Sequence, residues 1–233
     1  MSILRPDSAR RQSHATPFYV SISGNIGVGK STVCTRIGEE FGWLTYFEPV
    51  DDNPYLADYY KDMPRWAFHL QIFFLSKRFE VQKEIIEHDA SAVQDRTIYE
   101  DVEIFARVLH ERGCMDTRDY ENYREVFRNM VSFLRPPDLI LYLRARPEVA
   151  MSRIAQRGRA IESEIQREFI TDLHEAYEEW IGQAPEICPV KIIDTEKVNL
   201  RDDRDAQDEL YDLIAGLHAA KHERALSAAE ARK

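Results

Sequence analysis

Residues 24 to 31 read Gly-Asn-Ile-Gly-Val-Gly-Lys-Ser. Glycines at this spacing let the backbone curl so that several successive N–H groups point at one anion. A helix starting at the end of such a turn aims its positive end at the same place. Lys30 supplies a mobile point charge, and Ser31 a hydroxyl suited to Mg²⁺. The run fits the pattern G-x-x-x-x-G-K-[ST] in its required setting, after the β-rich stretch 18–23 and before a helical pattern over 31–41. Such a loop cradles the phosphates of a nucleoside triphosphate. The expected ATP-binding residues are therefore Gly24, Asn25, Ile26, Gly27, Val28, Gly29, Lys30, Ser31 and Thr32, although Thr32 suits helix packing better than chemistry.

A triphosphate loop alone does not specify a reaction. The guanine-reading N-K-x-D segment of a GTPase is missing, and Asp95-Arg96 is not the pair of adjacent acids usual in a mechanical ATPase. A chain of 233 residues suits a small single-domain phosphotransferase. Transfer to an alcohol needs a carboxylate to take or orient the hydroxyl proton, a role worth roughly 10²–10⁴-fold. Glu48 closes a predicted strand and is followed by Pro49, which frees it from ladder pairing. Arg96 is placed to hold the acceptor oxygen and balance Glu48, while Asp95 is placed to hold a Mg²⁺-bound water. In the basic segment 150–163, Arg153, Arg157 and Arg159 cluster around Gly158. Arg153 and Arg157, four apart, share a helical face. Converging arginines stabilise charge on a transferring phosphoryl group, and Gly158 offers a hinge, so this segment reads as a mobile lid. Gln71, Phe74 and Arg78 lie at i, i+3 and i+7 on one helix face. Gln71 can pair with the edge of a base, and Phe74 and Phe105 can sandwich its ring. Any one of these three alone reads equally well as core.

The elements that must position these groups alternate. Strands are expected at 18–23, 44–48, 92–94, 139–143 and 190–193. Helices are expected at 31–41, from Pro64 to about 88, at 99–112 and 117–134, from Pro147, and at the charged C-terminus. Alternation of this kind implies an α/β, P-loop kinase fold: a five-stranded parallel sheet covered by helices on both faces. Ligands of such sheets bind beyond the carboxyl ends of the strands, where Ser23, Glu48 and Asp95 fall. Residues 1–17 read as a flexible arm, 18–220 as one domain, and the tail from Lys221 as a solvated, fraying helix end. A net charge of -10 argues against a nucleic-acid polymer as partner. No apolar run approaches the roughly 18 residues of a membrane span. Cys34, Cys114 and Cys188 are odd in number and lack metal-ligand spacing, so they read as reduced thiols of a cytoplasmic protein. Arg5, Arg10 and Arg11 among serines leave a mitochondrial transit peptide as the lesser alternative, against which Asp7 argues.

In this order, GNIGVGKST at 24–32, FEPV at 47–50, YYKDMPRW at 59–66, LQ at 70–71, DRT at 95–97 and RIAQRGRAIES at 153–163 resemble the deoxynucleoside kinase family over about residues 18–200. The resemblance implies ATP and Mg²⁺ as donor, transfer to the 5'-hydroxyl of a deoxynucleoside in nucleotide salvage, and a homodimer with a helical interface. It implies Glu48 as base with Arg96 beside the 5'-hydroxyl, Tyr60 and Glu162 on the 3'-hydroxyl, Gln71 paired with the nucleobase and Phe105 stacked on it. Arg153, Arg157 and Arg159 become the lid. Arg78 and Asp101 match an Arg and an Asp of members that accept purines or deoxycytidine, where thymidine-preferring members are apolar. Deoxyadenosine, deoxyguanosine or deoxycytidine are thus expected over thymidine. NPYL at 53–56 and LSKR at 75–78 look more like bacterial deoxyadenosine kinases than animal enzymes. Asn53 departs from the Trp of many animal members, and Leu70 is a smaller departure. Two other readings stay open. A nucleoside monophosphate kinase shares several of these features, although Glu48 would repel an acceptor phosphate. A non-catalytic nucleotide-binding regulator would bind without turnover.

Overall fold

The stretches Tyr19–Ser23 (β2), Ala92–Asp95 (β4) and most of Leu139–Arg144 (β5) are buried at nearly every position, not at alternate ones. That is the mark of strands covered on both faces. In the computed structural model, which describes residues 3–4, 16–49, 53–159 and 162–231, they form the middle of one sheet. Strand order is β1-β3-β4-β2-β5-β6, with β1 at Ile3–Leu4, β3 at Leu44–Tyr46 and β6 at Val190–Asp194. The five strands β2 to β6 run parallel, as in the register Val20↔Val93 and Val20↔Leu139. A sixth strand, β1 (Ile3–Leu4), was not expected: it comes from the supposed arm and pairs antiparallel with β3. The rest of the arm to residue 15, residues 50–52 around the FEPV segment, 160–161 of the basic segment and 232–233 lie outside the described residues.

Helix α1 (Lys30–Phe41) starts directly from the glycine turn. Its N-cap, Gly29, has φ 101° and supplies no side-chain cap, so the first-turn N–H groups stay open for an outside acceptor. After α2 (Leu56–Lys61), Asp62 accepts from the Arg65 amide and Pro64 sits in the first turn of α3 (Met63–Glu87). The expected single helix at 99–112 is broken into α4 (Ile98–Glu100), a π-helical segment Asp101–Ala106, and α5 (Arg107–Glu111). The widened turn packs among α3, α6 (Thr117–Val131) and α8 (Arg167–Ile181). It lets Asp101 reach Arg78 while Phe105 reaches the cleft. Helix α7 (Pro147–Arg157) ends at Gly158, which takes φ 66° as its C-cap.

Two further elements depart from expectation. Helix α8 has no counterpart in the sequence reading, yet Phe169, Ile170, Leu173, Ala176, Tyr177, Trp180 and Ile181 bury a face at helical spacing. Helix α9 (Arg204–Glu230) runs through the supposed boundary at 220/221. There Lys221 Nζ donates to Pro17 O (2.6 Å) and Asp138 Oδ2 (2.8 Å), so the first residue of the supposed tail is tied down. One apolar cluster joins the sheet to α2–α8, and a second joins its other face to α1 and α9. Among the described residues no helix is long and apolar enough to cross a membrane. All three cysteines are free.

Candidate active site

A cleft of about 1070 Å³ opens beyond the carboxyl ends of the strands. At one end lies the glycine loop. Ile26 to Thr32 line it, and Thr32 is exposed rather than packed. Gly24 and Asn25 do not line the cleft; they shape the loop. A Cβ on Gly24 would fall 2.5 Å from Leu143 O, and one on Gly27 2.6 Å from Ala150 O, so both positions exclude any side chain. Asn25 Nδ2 donates to Ile170 O and its Oδ1 accepts from the Ile26 amide, each at 2.8 Å. Lys30 Nζ donates to Asn25 O at 2.9 Å. Burial, reinforced by the Arg96 charge, lowers the Lys30 ammonium to about 8. Ser31 Oγ donates to Asp95 Oδ2 at 2.7 Å, while the buried Asp95 Oδ1 has no partner. Burial raises the Asp95 carboxyl above its ordinary range. An open helix N-terminus, curled backbone and lysine fit a triphosphate, and a hydroxyl beside a half-satisfied carboxylate fits a divalent ion carried by it.

Toward the acceptor end, β3 stops at Tyr46 rather than at residue 48, so Glu48 sits in the loop two residues beyond. Arg78 Nη2 donates to its Oε1 at 2.6 Å, and Arg96 Nε lies 3.3 Å from the same oxygen. Burial pushes the Glu48 carboxyl up, but Arg96, Arg78 and Lys30 outweigh it and hold the group down to about 2. Glu48 is thus held as a carboxylate by the surrounding cations. Arg96 is itself 2% exposed and is the one non-glycine residue with positive φ (70°) among the described residues. Its guanidinium lies over the Phe105 ring, 4.4 Å from the centroid. Two residues missed by the sequence reading complete its surroundings. Arg96 Nη1 donates to the Tyr177 hydroxyl and lies 3.5 Å from Glu100 Oε2. Tyr177 sits on the unrecognised α8, whose apolar spacing was the available signal. Glu100 carried a capping-box signal, Thr97 with Glu three residues on, which the structure shows formed.

Gln71, Phe74, Phe105, Tyr60 and Glu162 line the cleft together with Glu48 and Arg96, so the structure gathers seven of the nine residues expected at the substrate. Gln71 is 2% exposed and its Oε1 has no partner. Arg78 and Asp101 meet as a pair, Nε to Oδ1 2.8 Å and to Oδ2 2.6 Å. Neither lines the cleft, however: both are buried behind Glu48, which Arg78 also holds. Burial pushes Asp101 up to about 7 against the pull of Arg78. Arg153, Arg157 and Arg159 all border the cleft but do not converge on one point. Arg153 bonds Thr195 Oγ1 and O, both at 2.8 Å, whereas Arg157 grips Glu162 through both oxygens at 2.7 Å. Arg159 lies 3.6 Å from the same carboxylate.

A parallel sheet with a phosphate loop after its central strand, and a carboxylate clamped by arginine at the neighbouring strand ends, defines a P-loop phosphotransferase. Residues 20–217 match the family model described as deoxynucleoside kinase, and the chain belongs to that family. It is an enzyme that phosphorylates a deoxynucleoside. It is 40% identical over 200 residues to the deoxyadenosine/deoxycytidine kinase of Bacillus subtilis (strain 168), spanning 85% of this chain and 92% of that one. It is 43% identical over 172 residues to the deoxyadenosine kinase of Dictyostelium discoideum, spanning 74% and 70%. The solved structure of deoxyadenosine kinase from M. mycoides with bound dATP superimposes with a TM-score of 0.72 at 34% identity, covering 83% of this chain and 96% of that one. The fold and the family expected from the motifs are both borne out.

Proposed function

We propose that this chain transfers the γ-phosphoryl group of ATP, with Mg²⁺, to the 5'-hydroxyl of deoxyadenosine, and of deoxycytidine as second substrate, in preference to thymidine. The observation that carries the choice of base is Gln71. Its buried, unpartnered Oε1 needs a donor, and its amide nitrogen offers one in return. Adenine and cytosine present the same complement, an exocyclic amine beside a ring-nitrogen acceptor; thymine presents an acceptor where the amine would be. The name of the B. subtilis relative carries this pair, and that of the M. mycoides relative its first member.

In this reading the loop N–H groups and Lys30 bind the phosphates, and Ser31 and Asp95 hold the metal or its water. Glu48 orients the 5'-hydroxyl and accepts its proton, while Arg96 steadies the oxygen as charge develops. Tyr60 and Glu162 take the 3'-hydroxyl, Phe74 and Phe105 flank the base, and Arg153, Arg157 and Arg159 form the lid. Arg78 and Asp101 act from behind, fixing Glu48. An acceptor monophosphate is disfavoured because Arg78 and Arg96 are already matched by Glu48, Asp101 and Glu100. The free thiols fit a cytoplasmic enzyme, and the homodimer implied by the resemblance belongs to the same reading. Purified protein supplied with ATP and Mg²⁺ is to be assayed on all four deoxynucleosides. Deoxyadenosine and deoxycytidine should exceed thymidine by at least about 10-fold in kcat/KM; thymidine as the best substrate would overturn the assignment.

A further inference from the structure

We infer that Glu100 and Tyr177 are positioning residues that lock the acceptor-side arginine, Arg96, to the phosphate loop. The inference rests on the role given to Arg96 above. Glu100 is fully buried and uses both oxygens. Its Oε1 accepts from Ser23 Oγ and from the Thr97 amide, each at 2.8 Å. Its Oε2 accepts from the Tyr177 hydroxyl at 2.6 Å and lies 3.4 Å from the Gly24 amide. The same Oε2 faces Arg96 Nη1. One carboxylate therefore holds the residue before the glycine loop, the first residue of that loop, and the arginine that meets the acceptor.

Tyr177 decides which way that arginine points. Its hydroxyl accepts from Arg96 Nη1 and donates to Glu100, so it fits only one placement of the guanidinium. The ring is held in turn by a stack on Tyr142, 5.6 Å between centroids, and by the edge of Trp180. Against Glu48, by contrast, Arg96 has only Nε at 3.3 Å, without a hydrogen bond's alignment. The Tyr177 side thus fixes the guanidinium and leaves its Glu48 side available to a reacting oxygen. Displacements of about 1 Å in such a group cost on the order of 10²-fold in rate.

A double-mutant cycle in the full chain tests this, with Tyr177→Phe, Arg96→Lys and the double variant read as kcat and as KM for ATP and deoxyadenosine. Tyr177→Phe removes one oxygen and leaves the ring on Tyr142. It should lower kcat roughly 10- to 100-fold, the worth of a hydrogen bond to a charged group. Both KM values should stay within about 3-fold, since the lost contact acts on the transition state. In the Arg96→Lys background the loss should shrink to under about 2-fold. An unchanged kcat, or an equal loss in both backgrounds, overturns the inference. Should Tyr177→Phe not fold, Glu100→Gln replaces it under the same criteria. A wild-type chain inactive on every deoxynucleoside would instead bring down the substrate reading, and this inference with it.

Discussion

From Gly24 to Ser31 the phosphate end of the cleft is one stretch of chain, and its working groups are mostly backbone. The acceptor end draws Glu48 from the loop after β3, Arg78 from α3, Arg96 from the end of β4, and Asp101 from the π-helical turn. The first is made by conformation: two glycines whose added Cβ atoms would collide with carbonyl oxygens. The second is made by charge balance: Arg78, Arg96 and Asp101 are almost wholly withdrawn from water and hold a Glu48 that stays partly open to the cleft. A site built from backbone is vulnerable to any residue that changes φ. A site built from buried charges is vulnerable to the loss of a single partner, because the others are left uncompensated.

The contrast sharpens most at Glu48. Glu48→Gln should lower kcat by about 10²–10⁴-fold with little change in the KM for ATP, and steady-state kinetics with each substrate varied will show it. A kcat within about 3-fold of wild type would deny Glu48 its role. On the other side, Gly27→Ala should cost about 10²-fold in kcat/KM for ATP while calorimetry still finds deoxynucleoside binding. Equal damage to both substrates would mean the two ends are not separable.

The Lys30 ammonium gives a gentler test. It loses its proton near pH 8 in the folded chain and near 10.4 when unfolded. Below 8 both states hold the proton; between the two values only the unfolded state does, so unliganded stability should rise with pH across that window. A bound triphosphate demands the charged form, so ATP binding at pH 9 should take up about one proton, and at pH 7 almost none. Titration calorimetry in buffers of different ionisation heat reads this uptake, and equal values at both pH values would count against Lys30 as the phosphate ligand. Smallest of all, Lys221→Ala should cost about 1–2 kcal/mol in denaturant unfolding without altering kinetics, since its partners Pro17 and Asp138 touch neither end.

The same contrast explains what could be read from the sequence. A conformational site must be contiguous, so the glycine loop declared itself, and with it the strand before, the helix after and the parallel sheet. The acceptor end was legible as a set of residues but not as an arrangement. Nothing in the spacing says that Arg78 bonds both Glu48 and Asp101, or that Arg153 turns to Thr195 rather than toward Arg157. Glu100 and Tyr177 went unseen because buried counter-charges carry no motif of their own. The π-helical turn has no periodic signature that separates it from an ordinary helix, whereas α8 had a full one.

Asp95 bonds the hydroxyl of Ser31, and the very next residue, Arg96, faces Glu48. The left-handed backbone at Arg96 is what turns successive side chains into different halves of the cleft, at a cost of about 1–3 kcal/mol. The Ser31 contact and the Glu48 contact therefore spring from two Cα atoms joined by one trans peptide, about 3.8 Å apart. Packing around it can breathe, but that covalent span does not stretch. One peptide bond thus keeps the Ser31 side of the cleft in step with the Glu48 side.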